Sequence, residues 1–397
     1  MKKLILVLAV MVFTGEASSS ALRDGQSSLV LDLDGDGVEV IQIVSGARSQ
    51  ILFDHDADGI RMGTAWVKAD DGLLVFDRNG RGHIDSGREL LGNNSVLANG
   101  LLAADGYAAL ADLDSNGDGQ ITSQDANYKN LYIWRDLDQN GISGPGELQS
   151  LMDAGITRIG LARTGNTRTL ADETKLEGIG SFTINGQERA YSDVWFAKNG
   201  FYREFTDAIP LTDEARTLPD MRGSGMVRDL REAASLDGRL AKDYAAFSRL
   251  PRAEFMARLD DFIARWAETS TMQTSFQQAN NQGYTLVYLP AGMTETDYFA
   301  TLWNDAKDIG QIEKKQRHFT QLINILERFN AQTWGDVGAR GVRSGAGVSY
   351  GIRKLPNGEA YVFFPFHPEQ QVMIEKSYDQ LKDSVYRGLS PRRAGWV

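Results

Sequence analysis

Short apolar runs, each ending in a polar glycine-bearing stretch, set the rhythm of the first hundred residues. Leu29-Val30-Leu31 runs into Asp32, Gln50-Ile51-Leu52-Phe53 into Asp54, and Leu73-Leu74-Val75-Phe76 into Asp77. Residues 38–44 alternate as a half-buried strand does. From Gly106 the grammar changes. Residues 107–111 read as a helix, 123–131 as a second short helix, and 146–154 as a third. Strands return at 159–161, at 181–184 with a turn at Asn185-Gly186, and at 193–196. Beyond Pro219, apolar residues recur at three-four spacing over 226–234, 236–248, 252–268, 295–309 and 312–329, which predicts helices. A glycine-rich break over 335–351 precedes a hairpin across Pro356-Asn357-Gly358, whose second arm is 361–364, and a last helix from Pro368 to about Gly388. The expected class is α+β. A small-stranded module with an EF-hand-like helix-loop-helix fills 24–205, and a mainly helical domain with a β-hairpin fills 215–397.

Chemistry enters where the apolar runs stop. Five Asp/Asn/Gly stretches lie between Asp32 and Glu147, and alternating carboxylates and amides around a tight glycine turn aim several hard oxygens at one point, as Ca2+ requires. One such stretch could be an ordinary turn. Five together point to calcium.

The fourth loop meets the EF-hand pattern best, with Asp114, Asn116, Asp118, the Gln120 carbonyl, Thr122 and Asp125 at positions 1, 3, 5, 7, 9 and 12. The fifth places Asp136, Asp138, Asn140, the Ile142 carbonyl and Glu147 at positions 1, 3, 5, 7 and 12. The third offers Asp77, Asn79, Asp85 and Glu89, but Arg81 stands at position 5 and Glu89 falls at position 13. The first (Asp32, Asp34, Asp36) and second (Asp54, Asp56, Asp58) lack a carboxylate at position 12. Two readings stay open for them: one ion shared between the loops, or plain Asp/Gly turns.

Charge follows the loops. Between Asp24 and Ser150 there are 21 acidic and 8 basic residues, whereas from Leu151 onward the two signs balance at 31 each. The overall net charge is -11. Carboxylates this dense repel one another unless a cation compensates, and the balance argues against a nucleic-acid partner. With no cysteine in 397 residues, disulfides and thiolate sites are excluded. His55, His83, His318 and His367 have no zinc spacing, and His55 and His83 read as solvated residues beside acidic loops. No phosphate loop, nucleophile elbow or glycosidase acid pair is recognisable, so no catalytic residue is assigned. The tryptophans, among them Trp66, Trp134, Trp195 and Trp266, read as core. Residues 1–21 have a cationic start, an apolar run over 4–13 and small residues before a cut after Ala17 or Ala21, the pattern of a secretory signal peptide. The expected location is secreted, periplasmic or cell-surface, with no membrane span after signal removal and an unidentified protein or cell-surface partner.

The runs at 31–39 (Leu-Asp-Leu-Asp-Gly-Asp-Gly-Val-Glu), 53–56, 70–80, 113–119 and 134–136 resemble the Frp-type, iron-regulated RTX proteins of Gram-negative bacteria and their haemolysin-type, virulence-associated relatives. Residues 218–225, 325–330 and 384–386 resemble the helical region that follows in large members. The resemblance implies a self-processing module that folds on calcium and cleaves an Asp-Pro bond at its N-terminal edge. The Asp carboxyl attacks its own carbonyl and expels proline, and the new Asp end can relink to a lysine. Here the expected pair is Ser27-Ser28, which lacks both the carboxylate and the proline, and Asp24-Gly25 is the nearest variant. The resemblance thus implies retained calcium binding and lost self-cleavage, with calcium-triggered cleavage at a variant bond as the alternative. The glycine-rich β-roll of that family is not recognisable.

Overall fold

A computed structural model describes residues 26–44, 51–305, 307–338, 341–344 and 351–390. The signal-like segment 1–21, Asp24-Gly25 and part of the glycine-rich break 335–351 lie outside the described residues. The chain divides into two compact units, Asp24–Asp207 and one built on Ala208–Val397.

The first unit contains the strands β1 (Gln26–Leu31), β2 (Val40–Ile41), β3 (Leu52–Phe53), β4 (Ile60–Thr64), β5 (Trp66–Val67) and β6 (Gly72–Phe76). Helix α1 (Gly106–Ala111) follows, then β7 (Gln120–Ile121), β8 (Leu131–Trp134), β9 (Leu148–Ser150), β10 (Ile156–Gly160), β11 (Thr164–Thr169), β12 (Lys175–Ile184), β13 (Gln187–Phe196) and β14 (Lys198–Phe205). Nine of these strands make one sheet in the order β7-β10-β12-β13-β1-β6-β8-β9, with β11 on β12. Its pairings are antiparallel.

Both faces of the sheet are covered. Leu29 and Leu31 of β1 point into one core with Leu74, Ile133, Phe182 and Tyr191, while Val30 points into a second with Trp66, Val75, Trp134 and Phe196. This explains why Leu29-Val30-Leu31 is a continuous apolar run: side chains alternate across a strand, and here each side meets protein. The β12–β13 hairpin turns at Asn185 and Gly186, with φ of 49° and 78°, the paired left-handed geometry that matches strand twist.

Two predicted helices are absent. Residues 123–131 form turns and a single 3-10 turn at Tyr128–Asn130, so the fourth loop has an entering helix, α1, but no exiting one. The next four residues, Leu-Tyr-Ile-Trp, are taken up as β8 against β6. Residues 146–154 yield β9, paired with β8, followed by one turn in which the Ala154 N–H donates to Ser150 O at 2.9 Å. In both places the sheet takes up part of the chain: Leu131 enters β8 between β6 and β9, and residues 148–150 add as β9 at the edge.

In the second unit the described residues form the helices α2 (Asp213–Arg216), α3 (Leu230–Leu236), α4 (Arg239–Phe247), α5 (Arg252–Glu268) and α6 (Ser275–Asn281). Strand β15 (Tyr284–Leu289), helices α7 (Glu295–Leu302) and α8 (Ile309–Asn330), and strands β16 (Gly335–Gly338), β17 (Gly341–Ser344), β18 (Gly351–Lys354) and β19 (Ala360–Pro365) precede helix α9 (Pro368–Leu389). The expected hairpin is β18–β19, and β15, which periodicity missed, adds to β19 in parallel. The stretch predicted as one helix over 236–248 is α4 alone, with Asp237 and Gly238 breaking it from α3. Glu327 of α8 is buried and accepts from Ser275 N, Ser275 Oγ and Trp334 N, which ties α8 to the start of α6.

Gly92 lies against β1 so closely that a Cβ would fall 1.6 Å from the Ser27 carbonyl oxygen, whereas Gly165 faces open space. Gly92→Ala should therefore cost more than about 2 kcal/mol in chemical denaturation, and Gly165→Ala well under 1 kcal/mol or so. Equal midpoints for the two variants would refute this packing.

Candidate functional site

Strand order delivers the acidic loops. β1 and β8 both run antiparallel to β6, so they run parallel to each other. The loop after β1 (Asp32) and the loop after β8 (Asp136) therefore leave the same end of the sheet, and the loop after β6 (Asp77) leaves the opposite end. The second loop joins β3 to β4, and the fourth runs into β7.

All five loops share one frame. The first Asp accepts, through Oδ2, the N–H of a glycine five residues on: Gly37 at 3.1 Å, Gly59 at 3.0 Å, Gly82 at 2.9 Å, Gly119 at 2.9 Å and Gly141 at 2.8 Å. Its Oδ1 accepts from the loop residue before or two before that glycine: Gly35, Asp58, Gly80, Gly117 or Asn140. The fourth and sixth positions are left-handed in every loop, with φ of 100° and 107° at Gly35 and Gly37, 57° and 85° at Ala57 and Gly59, and 56° and 71° at Gln139 and Gly141. Glycine at the sixth position is required by this φ. At Gly141 it is required twice over, because a Cβ would fall 2.7 Å from Leu52 O.

Among the described residues, three loops gather three carboxylates whose oxygens lie within 4.8 Å of one another and could hold a metal ion. They are Asp32/Asp34/Asp36, Asp54/Asp56/Asp58 and Asp136/Asp138/Glu147. In the fifth loop Asp136 is fully buried, and burial pushes its carboxyl above the ordinary value. Asn140 Nδ2 donates to Asp138 at 2.7 Å, and Ile142 donates its N–H to Asn140 Oδ1 at 2.6 Å.

The fourth loop, the best match by spacing, is not one of these carboxylate triads. Its Asp118 oxygens take the N–H of Gln120 and the amide of Asn116, and Thr122 Oγ1 accepts from Gln124. In the third loop Asp85 is drawn to Arg81 at 3.3 Å and His83 at 3.2 Å, while Asn79 donates to Glu89 at 2.7 Å. A guanidinium there supplies the positive charge that an ion would otherwise bring.

Loop closure reveals a residue that spacing could not. Asp125 accepts the N–H of Ser115 and of Thr122, each at 2.9 Å, so it bridges positions 2 and 9 of the fourth loop. Partial burial opposes ionisation of Asp125, and these N–H groups outweigh it, leaving the carboxyl below its ordinary value. Glu147 bridges the same two positions of the fifth loop, taking Leu137 N at 2.9 Å and Gly144 N at 2.7 Å. The first loop has no such residue in its own sequence. Asp71, in the turn before β6, takes its place: it accepts Leu33 N at 3.2 Å and Glu39 N at 2.8 Å, positions 2 and 8. The only linear signal was the pair Asp70-Asp71 ahead of an apolar run. Its partnership with a loop 38 residues away is tertiary.

The loops also reach the core. Trp66 Nε1 donates to Asp136 Oδ2 at 2.8 Å, and Trp134 Nε1 to Glu147 Oε2 at 3.4 Å. His55, expected to be solvated, is instead 6% exposed and ringed by Phe53, Trp66 and Phe196 at 5.0, 5.7 and 5.8 Å. Burial pushes its ring down to about 3, so it stays neutral and bonds Thr64 Oγ1 at 3.1 Å. It stands at position 2 of its loop, two residues beyond the end of β3, and its ring is packed inward. Ser27-Ser28, the pair that stands where the resemblance places an Asp-Pro bond, lies within β1, with both residues buried and paired to Trp195 and Val194 of β13.

Burial pushes Asp71, 1% exposed, from 3.8 up to about 7. An acid raised on folding stabilises the fold below its unfolded value, and that contribution is lost as pH rises through the folded value. Metal-free protein should therefore lose up to about 4 kcal/mol from this group between pH 4 and pH 7. Melting temperature followed against pH in chelator reads this out, and Asp71→Asn should flatten the decline. A metal-free stability that climbs steadily over that interval would count against it.

Residues 29–197 match the family model of the SPM domain, a span that holds all five acidic loops. Over 290 residues the chain is 40% identical to iron-regulated protein FrpA of Neisseria meningitidis serogroup C, a match covering 70% of this chain and 26% of that protein. The chain thus spans about a quarter of the length of that relative, and the likeness to it, which supports an Frp-type relation, runs over 70% of this chain.

Proposed function

We propose that this chain is a secreted calcium-binding protein of RTX-related type, in which the unit Asp24–Asp207 folds on Ca2+ and performs no catalysis. The observation that carries the reading is the frame repeated in five loops, with three carboxylates converging in three of them. The donor set fits the ion. The side chains offered are carboxylates and amides, hard oxygen donors that suit Ca2+ and give soft metals nothing.

The first two loops would complete their sites by different means. Asp32, Asp34 and Asp36 would hold an ion in a loop that Asp71 closes, and Asp54, Asp56 and Asp58 would hold one directly. Asp136, Asp138, Asn140, the Ile142 carbonyl and Glu147 would form the deepest site. Asp114, Asn116, Asp118, the Gln120 carbonyl, Thr122 and Asp125 would form the most exposed one. In the third loop an ion held by Asp77, Asn79, Asp85 and Glu89 would compete with the Arg81 guanidinium for Asp85, so this site would be the weakest. Burial raises Asp54, Glu89, Asp71 and Asp136 alike, which disfavours the ion-free fold at neutral pH, and bound calcium reverses that penalty. Each site filled about a hundredfold above its dissociation constant adds roughly 2.7 kcal/mol. In a low-calcium compartment the unit would stay loose, and it would order on export.

Treatment with EGTA should lower the melting temperature and reduce the far-ultraviolet circular dichroism of this unit, and calcium should restore both. Asp136→Asn should remove one ion from the stoichiometry found by isothermal titration. A spectrum and melting temperature indifferent to EGTA would defeat the proposal. Intact mass after calcium addition addresses the self-processing alternative: an unchanged mass supports the non-catalytic reading, and a new fragment starting near residue 25 supports cleavage.

A further inference from the structure

Away from the acidic loops, α5, α6, α7, α8 and β15 of the second unit surround a cavity of about 360 Å³, within the size range of small-molecule sites. Part of its wall is apolar, from Phe276, Leu286 and Ile325. The rest is mainly polar, with Arg317 paired to Glu313 at 3.4 Å, and three of its groups bear on what could bind. Asn324 Oδ1 is buried and has no hydrogen-bond partner, a position that calls for a donor from a ligand. Arg328, 8% exposed, commits Nε to Met272 O at 3.5 Å and Nη2 to Gln277 Oε1 at 3.2 Å, and still lines the cavity. Glu268, exposed at the rim, is the acid that most offsets the burial of the Arg328 charge.

A simple anion would meet Glu268, and a simple cation would meet Arg328. A hydrocarbon would leave Asn324 unpaired and strip water from the guanidinium. A molecule bearing both charges on one carbon, with an apolar remainder, answers each group at once. We propose that this cavity binds a free α-amino acid with an apolar side chain. Its carboxylate faces Arg328, its ammonium lies between Glu268 and Asn324 Oδ1, and its side chain packs on Phe276, Leu286 and Ile325. This site is independent of the calcium reading.

Isothermal titration of the full chain with L-leucine and L-phenylalanine, in EGTA and again in calcium, tests it. Binding is expected for both, weakened at least about tenfold by leucinamide, which lacks the carboxylate, and by N-acetyl-leucine, which lacks the ammonium. Asn324→Ala should weaken leucine by a similar factor, and Ile325→Trp, which fills the cavity, should abolish binding while circular dichroism stays unchanged. Absence of heat with both amino acids, or equal binding of the blocked analogues, would overturn the proposal.

Discussion

A carboxylate that accepts the N–H of a glycine five residues ahead holds each acidic loop in shape. The bond accompanies a curl of the intervening chain through two left-handed residues, and in the first two loops the carboxylates of positions 1, 3 and 5 come together. It is a local interaction between a carboxyl oxygen and a backbone donor. It also concentrates negative charge, because the same curl that satisfies one carboxylate draws others toward it. The frame is thus stable in geometry and unfavourable in charge, a conflict that a cation held by the converging carboxylates would relieve.

The nine-stranded sheet converts these local frames into a unit. β1, β6 and β8 are neighbours, and each hands its C-terminal end to an acidic loop. Because the sheet is covered on both faces, the loops stand on rigid strands at its ends. Indole groups from the core then reach outward: Trp66 and Trp134 donate to Asp136 and Glu147 of the fifth loop. Trp66 packs on Trp134 with ring centroids 5.5 Å apart, and on Phe53 at 5.1 Å, the residue that opens the second loop. A continuous set of ring contacts therefore joins the fifth loop to Phe53, just ahead of the second.

The second unit uses polar burial differently. Glu327 is buried with three donors around it, which suits a structural brace, whereas Asn324 one turn away on α8 has an oxygen with none. The contrast sets the cavity apart from the brace beside it.

Local chemistry was legible in the linear sequence. Glycine at the sixth position of every loop, Asn185-Gly186 at the hairpin and the three-four periodicity of α5, α8 and α9 are properties of neighbouring residues, and propensity reports them directly. What failed were segments whose partners lie far along the chain. Residues 123–131 and 146–154 have helix-like spacing, yet the first forms turns that end at Leu131 in the ladder with β6, and residues 148–150 of the second pair with β8. Asp71 closes a loop it does not belong to, and His55 left the solvent because Trp66 and Phe196 surround it. Spacing orders ligands within a turn. Only the folded sheet, by fixing which strand ends share an edge, decided which distant carboxylate and which indole would meet them.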